Sequence, residues 1–324
     1  RLVLTRGKNM DEDVELVSKE IDRSESDIFA QSVIFGSHGY AIELNKRVKE
    51  RHPNLVSVLG GPAASFSPVL LERGFDVICR HEGENPFLEF CNVYEAGDNV
   101  GNIPNLWVKE NPDLYNTKRN GTKKILDIDD PSYKQESGYD PQRKIFVNAP
   151  RPVLRDDDLD SLPWADREVL YNNLIVAESA DPKIFRDNPV KHFEHSRGCS
   201  EICSYCFIHV FNAEMIGKGK GGPVRRRDNQ KYCEEVKVVL KKYGGELVYN
   251  QDDIFGPVYA LKFMKEFAEI YRREVGVPRH EHVRFNLIND EMAKLLAYSL
   301  CTGVHVAIEA GNERIRNQVH KRRM

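Results

Sequence analysis

The sequence predicts an α/β fold in two parts. Strand-like and helix-like segments alternate over residues 1–94, the pattern fades over 95–190, and a second strand–helix series begins at 192. The 324 residues suit about two domains by length. The chain is 40% hydrophobic and 30% charged, which excludes disordered and low-complexity classes. A net charge of −3 argues against a protein that grips nucleic acid by bulk charge, so no nucleic-acid partner is expected. No apolar run reaches the ~18 residues of a membrane-spanning helix, and no membrane partner is expected. Seven cysteines are odd in number and too sparse for a disulfide scaffold; they predict a reducing, cytoplasmic location. Residue 1 is Arg rather than Met, and 319–324 continue a helix-like stretch with no stop signal, so a piece of a longer protein is expected.

Residues 1–5 (RLVLT) read as a short strand, and 11–21 as a helix with Val14, Leu16, Val17 and Ile21 on one side. Residues 28–35 (IFAQSVIF) read as a buried strand, broken by Gly36-Ser37-His38-Gly39. An amphipathic helix follows over 40–51, then a strand over 56–59 that ends at Gly60-Gly61-Pro62. A helix near 68–73, a strand over 76–79, the break Glu82-Gly83-Glu84 and a helix over 86–94 complete this half. Such alternation implies a parallel sheet with helices on both faces, whose ligands sit at the carboxyl ends of the strands. All three breaks fall there. Each alone reads as an ordinary βα turn; together they predict a binding edge where glycine lets backbone approach a ligand.

The middle is rich in Asn, Asp, Pro and Lys and reads as a crossover. Trp107, residues 125–128 and residues 145–147 suggest short strands, and a short helix is expected near 168–171. The acidic run Asp156, Asp157 and Asp158 reads as a solvated turn. The domains expected are 1–150, a linker over 151–190, and 191–324.

The sharpest signal is Arg197-Gly198-Cys199-Ser200-Glu201-Ile202-Cys203-Ser204-Tyr205-Cys206, with the spacing Cys-x3-Cys-x2-Cys. Thiols this close can converge on one centre, and thiolates select zinc or iron–sulfur. Iron–sulfur is favoured because no second CxxC pair exists, as a zinc ribbon would need. Three ligands on a four-iron cluster also leave one iron open, which suits catalysis. The zinc alternative needs His195 or His209 as fourth ligand. Cys79, Cys91, Cys233 and Cys301 lie in apolar contexts and read as core residues.

Cys199, Cys203 and Cys206, with Tyr205 before the last cysteine, resemble the radical S-adenosylmethionine (radical SAM) signature. The resemblance implies that the three cysteines hold a [4Fe-4S] cluster whose open iron is chelated by S-adenosylmethionine, that Tyr205 lies near the adenine, and that the sulfonium is cleaved to a 5′-deoxyadenosyl radical. Later segments agree. A helix over 228–243, a strand over 247–250, a helix over 257–275, a strand over 283–287, a helix over 290–300 and a strand over 304–308 resemble four units of a partial TIM-like (βα)6 barrel. Asp252-Asp253-Ile254-Phe255 resembles the family's strand-end DD-x-F element near S-adenosylmethionine. Glu309-Ala310-Gly311-Asn312-Glu313 resembles GIESG-x-E, with Glu309 toward the nucleoside or methionine part; Ala307 and Ala310 stand in place of the usual Gly and Ser. Gly244-Gly245-Glu246 imitates the family's GGE loop but stands on the wrong side of a strand, and reads as a helix cap. The basic stretch 218–227 reads as a solvated or phosphate-facing loop.

An open, flavodoxin/Rossmann-like α/β domain ahead of such a barrel resembles the cobalamin-binding subgroup. Gly36-Ser37 and Gly60-Gly61 match its two cobalamin-holding loops, and His81-Glu82-Gly83-Glu84 its Gly-Glu-Gly-Glu-type element. Ser37, Gly60, Gly61 and Glu82 are therefore candidate cobalamin contacts. The Asp-x-His-x-x-Gly signature is absent, and His38 is a candidate ligand with a local loop role as the alternative. Methyl transfer to an unactivated centre of a small-molecule or peptide substrate is implied, with an electron donor such as flavodoxin or ferredoxin. The alternatives are an oxidative cyclase of the porphyrin-cyclase type, a radical SAM enzyme without bound cobalamin, and a non-catalytic metal-binding module.

Overall fold

The computed structural model describes residues 2–5, 7–111, 124, 136–176, 181, 183–215, 222–255 and 261–322. The strand expected at 125–128, the part of the basic stretch at 218–221 and the helix start at 257–260 lie outside the described residues. Two compact units divide the chain, one built on Val3–Pro152 and the other on Val153–Ile175 and Asp181–Met324.

In the first unit, β1 (Leu2–Leu4) precedes α1 (Met10–Ser24), which the Asn9 side chain caps by accepting the Asp11 and Glu12 N–H groups. Val14 and Val17 of α1 bury against Leu44 and Val48 of α2 (His38–Arg51). The sheet is formed by β2 (Ile28–Ser32), β3 (Val56–Gly60), β4 (Val77–Cys79), β5 (Leu106–Lys109), β6 (Gly138–Asp140) and β7 (Ile145–Val147) in the order β2-β3-β4-β5-β7-β6. Only β2, β3 and β4 run parallel. The last three strands are antiparallel, which corrects the all-parallel expectation. They come from the stretch read as crossover. Asp140 explains the hairpin: its carboxylate accepts the Gln142 and Arg143 N–H groups at 2.8 and 3.0 Å, setting an Asx-type turn that returns β6 into β7. Alternation along the strands builds two cores. Leu59, Ile78, Trp107, Ile145 and Val147 join one, and Val58, Val77, Leu106, Val108 and Phe146 the other. Between strands, α3 (Pro62–Phe66) and a 3-10 turn over Pro68–Arg73 replace the single helix expected at 68–73, and α4 (Glu84–Glu95) follows β4.

The second unit opens with α5 (Asp156–Ser161), so the acidic run is the first turn of a helix rather than a free turn. Its carboxylates are used: Asp156 accepts the Arg226 N–H and Asp160 the Asp228 N–H. After α6 (Arg167–Tyr171) and β8 (Leu174–Val176) come β9 (Val190–Phe193), the short pair β10 (Ser196–Arg197) with β11 (Arg225–Arg226), and α7 (Phe207–Met215) between them. Then α8 (Asn229–Tyr243), β12 (Leu247–Asn250), α9 (Leu261–Glu274), β13 (Arg279–His282), α10 (Asp290–Tyr298) and β14 (Cys301–His305) alternate. The sheet order β14-β13-β12-β9 is parallel throughout, the open arc of a partial barrel. Tyr232, Val236, Met264, Phe267, Tyr271, Met292 and Leu296 fill the space between these helices and the sheet. Gly244, at φ +70°, ends α8, which confirms the capping role of the Gly-Gly-Glu run.

Two strands sit earlier than the sequence suggests. The strand expected at 283–287 is β13 at 279–282, and that expected at 304–308 is β14 at 301–305. The physical reason in β13 is a buried charge pair. Arg279 and Glu281 are both fully buried and salt-bridged, so Arg-His-Glu-His forms a core strand with no apolar residue. The Arg279 guanidinium lies 4.8 Å from the Phe255 and Phe267 rings and donates to Ser299 Oγ at 2.6 Å. Asn250 Nδ2 donates to Glu281 at 2.6 Å. Replacing Glu281→Leu alone should cost about 3–5 kcal/mol, since Arg279 would be left charged and uncompensated. Urea unfolding checks this as a lowered midpoint.

Candidate functional site

The cysteine loop begins where β10 leaves β9, and its shape is set from the end of β12. Asp252 is fully buried and accepts the His195 N–H at 2.7 Å and the Ser196 hydroxyl at 2.6 Å. Asp253 accepts the Gly198 N–H at 2.8 Å. The two adjacent carboxylates thus hold three residues, His195, Ser196 and Gly198, of the segment leading into Cys199. Gly198 has φ +91°, and a Cβ there would lie 2.1 Å from the Pro223 carbonyl oxygen, so no other residue fits without moving that strand end. Farther along, the Ser204 N–H and hydroxyl donate to the His320 and Val319 carbonyls at 3.0 and 2.7 Å. The loop is therefore fastened at both ends by backbone-directed bonds.

A cavity of about 500 Å³ opens at the carboxyl ends of β12, β13 and β14. Cys199, Cys203, Cys206, Tyr205, Asp253 and Glu309 all line it. Of the second-unit residues matched to the radical SAM elements as cluster or S-adenosylmethionine contacts, only Asp252 is outside this place, turned inward to hold the loop. No disulfide links the cysteines. Among the described residues, no three His, Cys, Asp or Glu side chains are close enough to share a single ion. In an iron–sulfur cluster each thiolate takes a different iron, so a ring of thiols around a cavity suits that centre. His195, offered as a zinc ligand, is instead a core residue packed among Tyr232, Phe263 and Phe267. Burial there pushes its imidazole down to about 3. His209 is occupied within its own turn, 2.7 Å from the Cys206 carbonyl.

Burial pushes the Cys199 thiol up to about 11 and also raises Cys206, so a metal must displace these protons to gain its thiolates. Loss of surrounding water likewise raises Asp253. Glu309 adopts φ +67°, a left-handed position that turns the chain at the end of β14, and stands 3.7 Å from Arg322. Arg322 also donates to the Tyr205 hydroxyl at 2.9 Å. Arg284 pairs with Glu201 at 2.6 Å. These arginines and the cavity-lining Tyr249, His282 and His305 escaped the sequence reading. For His282 alone a local signal was present, in the alternation of β13, where Arg279 and Glu281 face one side and His280 and His282 the other.

In the first unit, the three breaks follow the parallel strands β2, β3 and β4 and meet. The Phe35 and Phe66 rings stack at 6.3 Å, and Phe66 lies edge-on to His81 at 6.3 Å. The His81 N–H donates to Ser65 Oγ at 2.8 Å. Gly61, at φ +88°, is needed for this closeness: a Cβ would lie 2.7 Å from both Val33 N and O. Gly60 accepts the Val33 N–H through its carbonyl. Ser37 stands exposed before α2, His38 opens that helix, and Glu82 is half-buried beside His81. Ile34 and Phe35 are exposed at the same edge.

Fold and cysteine loop together define a class: an open α/β unit joined to a partial barrel with a three-cysteine loop at its strand ends. Comparison with known proteins agrees. No protein-family model matches the sequence. An uncharacterized methyltransferase of Pyrococcus horikoshii is 22% identical over 303 residues, 92% of this chain and 55% of the relative. The anaerobic magnesium-protoporphyrin IX monomethyl ester cyclase of Synechocystis is 20% identical over 236 residues, 72% of this chain and 37% of the relative. The radical S-adenosylmethionine methyltransferase TsrM of Kitasatospora setae, solved with tryptophan and a SAM analogue, superposes with a TM-score of 0.61 at 15% identity, covering 93% of this chain and 52% of that one. The cobalamin-dependent S-adenosylmethionine radical enzyme OxsB, solved with aqua-cobalamin and S-adenosylmethionine, gives 0.66 at 17% identity, covering 96% and 39%. The chain has the fold of the cobalamin-binding radical SAM enzymes, as the sequence resemblance implied, and spans about half the length or less of these relatives.

The Asp252 carboxyl, pushed up to about 7 by burial, lies above its unfolded value of 3.8. Between those values the folded protein keeps a proton that the unfolded chain releases. This group's stabilisation is therefore complete below about pH 4 and is lost as pH rises through about 7. The slope should reach at most about 1.4 kcal/mol per pH unit. Denaturation across this pH range should show that slope in the native sequence and its loss in Asp252→Asn.

Proposed function

We propose that this chain is the cofactor-bearing part of a cobalamin-dependent radical SAM enzyme that transfers a methyl group to an unactivated centre. The observation that carries the reading is the convergence of Cys199, Cys203, Cys206, Tyr205, Asp253 and Glu309 on one cavity at the barrel's strand ends. The donor set fits the implied groups. Three unoxidised thiols suit a soft multi-iron centre. Carboxylates at Asp253 and Glu309 suit a cationic sulfonium and its ammonium group, and the half-exposed Tyr205 ring offers a stacking surface for a base. On the first unit, exposed Ile34 and Phe35 beside Gly36 suit the apolar face of a corrin, with Ser37, Gly60, Gly61 and Glu82 at the same edge.

When bound, the reduced [4Fe-4S] cluster would supply the electron that cleaves S-adenosylmethionine to a 5′-deoxyadenosyl radical, and cobalamin would supply the methyl group. The chain's own residues hold and orient. Cys199, Cys203 and Cys206 bind, each through one thiolate. Asp252 and Asp253 fix the loop that carries them. Arg322 donates to the phenol of Tyr205 and faces Glu309, and so links the adenine-side and methionine-side walls. The substrate is a small molecule or peptide reached from the open side of the arc. A one-electron donor such as flavodoxin or ferredoxin serves the cluster. An oxidative cyclase is the second reading, favoured by the Synechocystis relative.

After anaerobic reconstitution with iron and sulfide, Cys203→Ala should lose at least ten-fold in 5′-deoxyadenosine formed per chain, with loss of the broad visible absorption of thiolate-bound iron. Undiminished 5′-deoxyadenosine would remove the assignment. Hydroxocobalamin mixed with the full chain should travel with the protein through gel filtration. A corrin that elutes free would instead support a radical SAM enzyme that holds no cobalamin.

A further inference from the structure

A row of imidazoles crosses the barrel sheet. Tyr249 on β12 lies in register with His192 on β9 and His280 on β13, and His282 on β13 lies in register with His305 on β14. Tyr249, His282 and His305 line the cavity. The His280 ring stacks on His305 with centroids 4.7 Å apart and planes at 24°. Gly303 makes that stack possible, since a Cβ there would lie 2.5 Å from His280 Cε1. Such a layer costs apolar burial at the centre of the arc and is not needed to close it.

Its proton order follows from one fixed point. A backbone carbonyl can only accept, so His282 Nδ1, 3.2 Å from the Asp252 carbonyl oxygen, carries a proton. Uncharged His282 then has a bare Nε2, which accepts from the Tyr249 hydroxyl at 2.8 Å. The phenol has one proton to give. Its oxygen must therefore accept from His305 Nδ1 at 2.6 Å. His305 is left with its proton on Nδ1 and a bare Nε2, which makes no hydrogen bond among the described residues.

We propose that His305 Nε2 is the proton acceptor for the substrate, and that Tyr249 and His282 are positioning residues that set its tautomer and move the charge from His305 to His282. This rests on reading the cavity as the reaction site. The substrate it fits carries an N–H or O–H at or beside the reacting centre. In the step, the substrate X–H bond breaks and its electron pair stays on X. The proton bonds to His305 Nε2. The Nδ1 proton passes to the Tyr249 oxygen, and the phenol proton passes to His282 Nε2. His282 ends as an imidazolium whose Nδ1–H still faces the Asp252 carbonyl. No oxidant or reductant is involved.

Long-range imidazole 15N–1H correlation spectra of the full chain, labelled at histidine, test this. His305→Gln assigns the signal. The expected result is a protonated Nδ1 and a bare Nε2 at His305. In Tyr249→Phe the acceptor for Nδ1–H is gone, and the His305 proton should shift toward Nε2, while the buried His195 signals stay in place as the control for folding. Adding phenol, a small O–H donor, should shift the His305 Nε2 signal. A wild-type His305 protonated on Nε2, a Tyr249→Phe spectrum with unchanged His305, or no response to phenol would each overturn the proposal. The readout needs neither iron nor S-adenosylmethionine, so its failure leaves the cysteine-loop reading standing, and failure of that reading leaves the tautomer result intact.

Discussion

The buried carboxylate of Asp252 is the point on which the second unit turns. It is removed from water, yet it holds two donors from the chain that leads into the cysteine loop. Burying it unpaired would be costly, so the His195 N–H and the Ser196 hydroxyl are obligatory partners. Asp253 next to it takes the Gly198 N–H and leaves its remaining surface to the cavity. One dipeptide at a strand end thus does two separate things. The first residue fixes where the thiols start, and the second is available to a ligand.

The same economy recurs in β13. Arg279 and Glu281 neutralise each other inside the helix-facing core, while His280 and His282 on the alternate positions meet Tyr249. The pair also reaches Asn250 and Ser299, so the strand is registered by polar bonds as well as by packing. A buried pair of this kind is not strong evidence of stability, because desolvation offsets most of the attraction. Its effect here is to force alternation and thereby to aim two imidazoles at the cavity side.

What could be read from the sequence was whatever depended on local spacing. The cysteine loop, the Asp252-Asp253 pair, Glu309 and the cap at Gly244 each announce themselves within a few residues. The parallel second sheet followed from strand–helix alternation. What could not be read depended on distant partners. β13 has no apolar residue, so hydrophobic periodicity passed over it and chose the more apolar 283–287 instead. β5 and β7 were legible as short strands, but their antiparallel direction is set by pairing with β4 and each other, and β6 gains strand character only by pairing with β7. The different roles of Asp252 and Asp253 were also invisible, since nothing local says which of two adjacent carboxylates turns inward. Tyr249, His282 and His305 come together only through sheet register.

The function proposed for the second unit requires that three protein thiols hold a cluster and leave one iron for S-adenosylmethionine. Electron paramagnetic resonance of the reduced, reconstituted chain tests it most directly. The expected result is a [4Fe-4S] signal that changes on adding S-adenosylmethionine. A signal unaltered by S-adenosylmethionine, or one as strong in Cys199→Ala as in the native sequence, would contradict it.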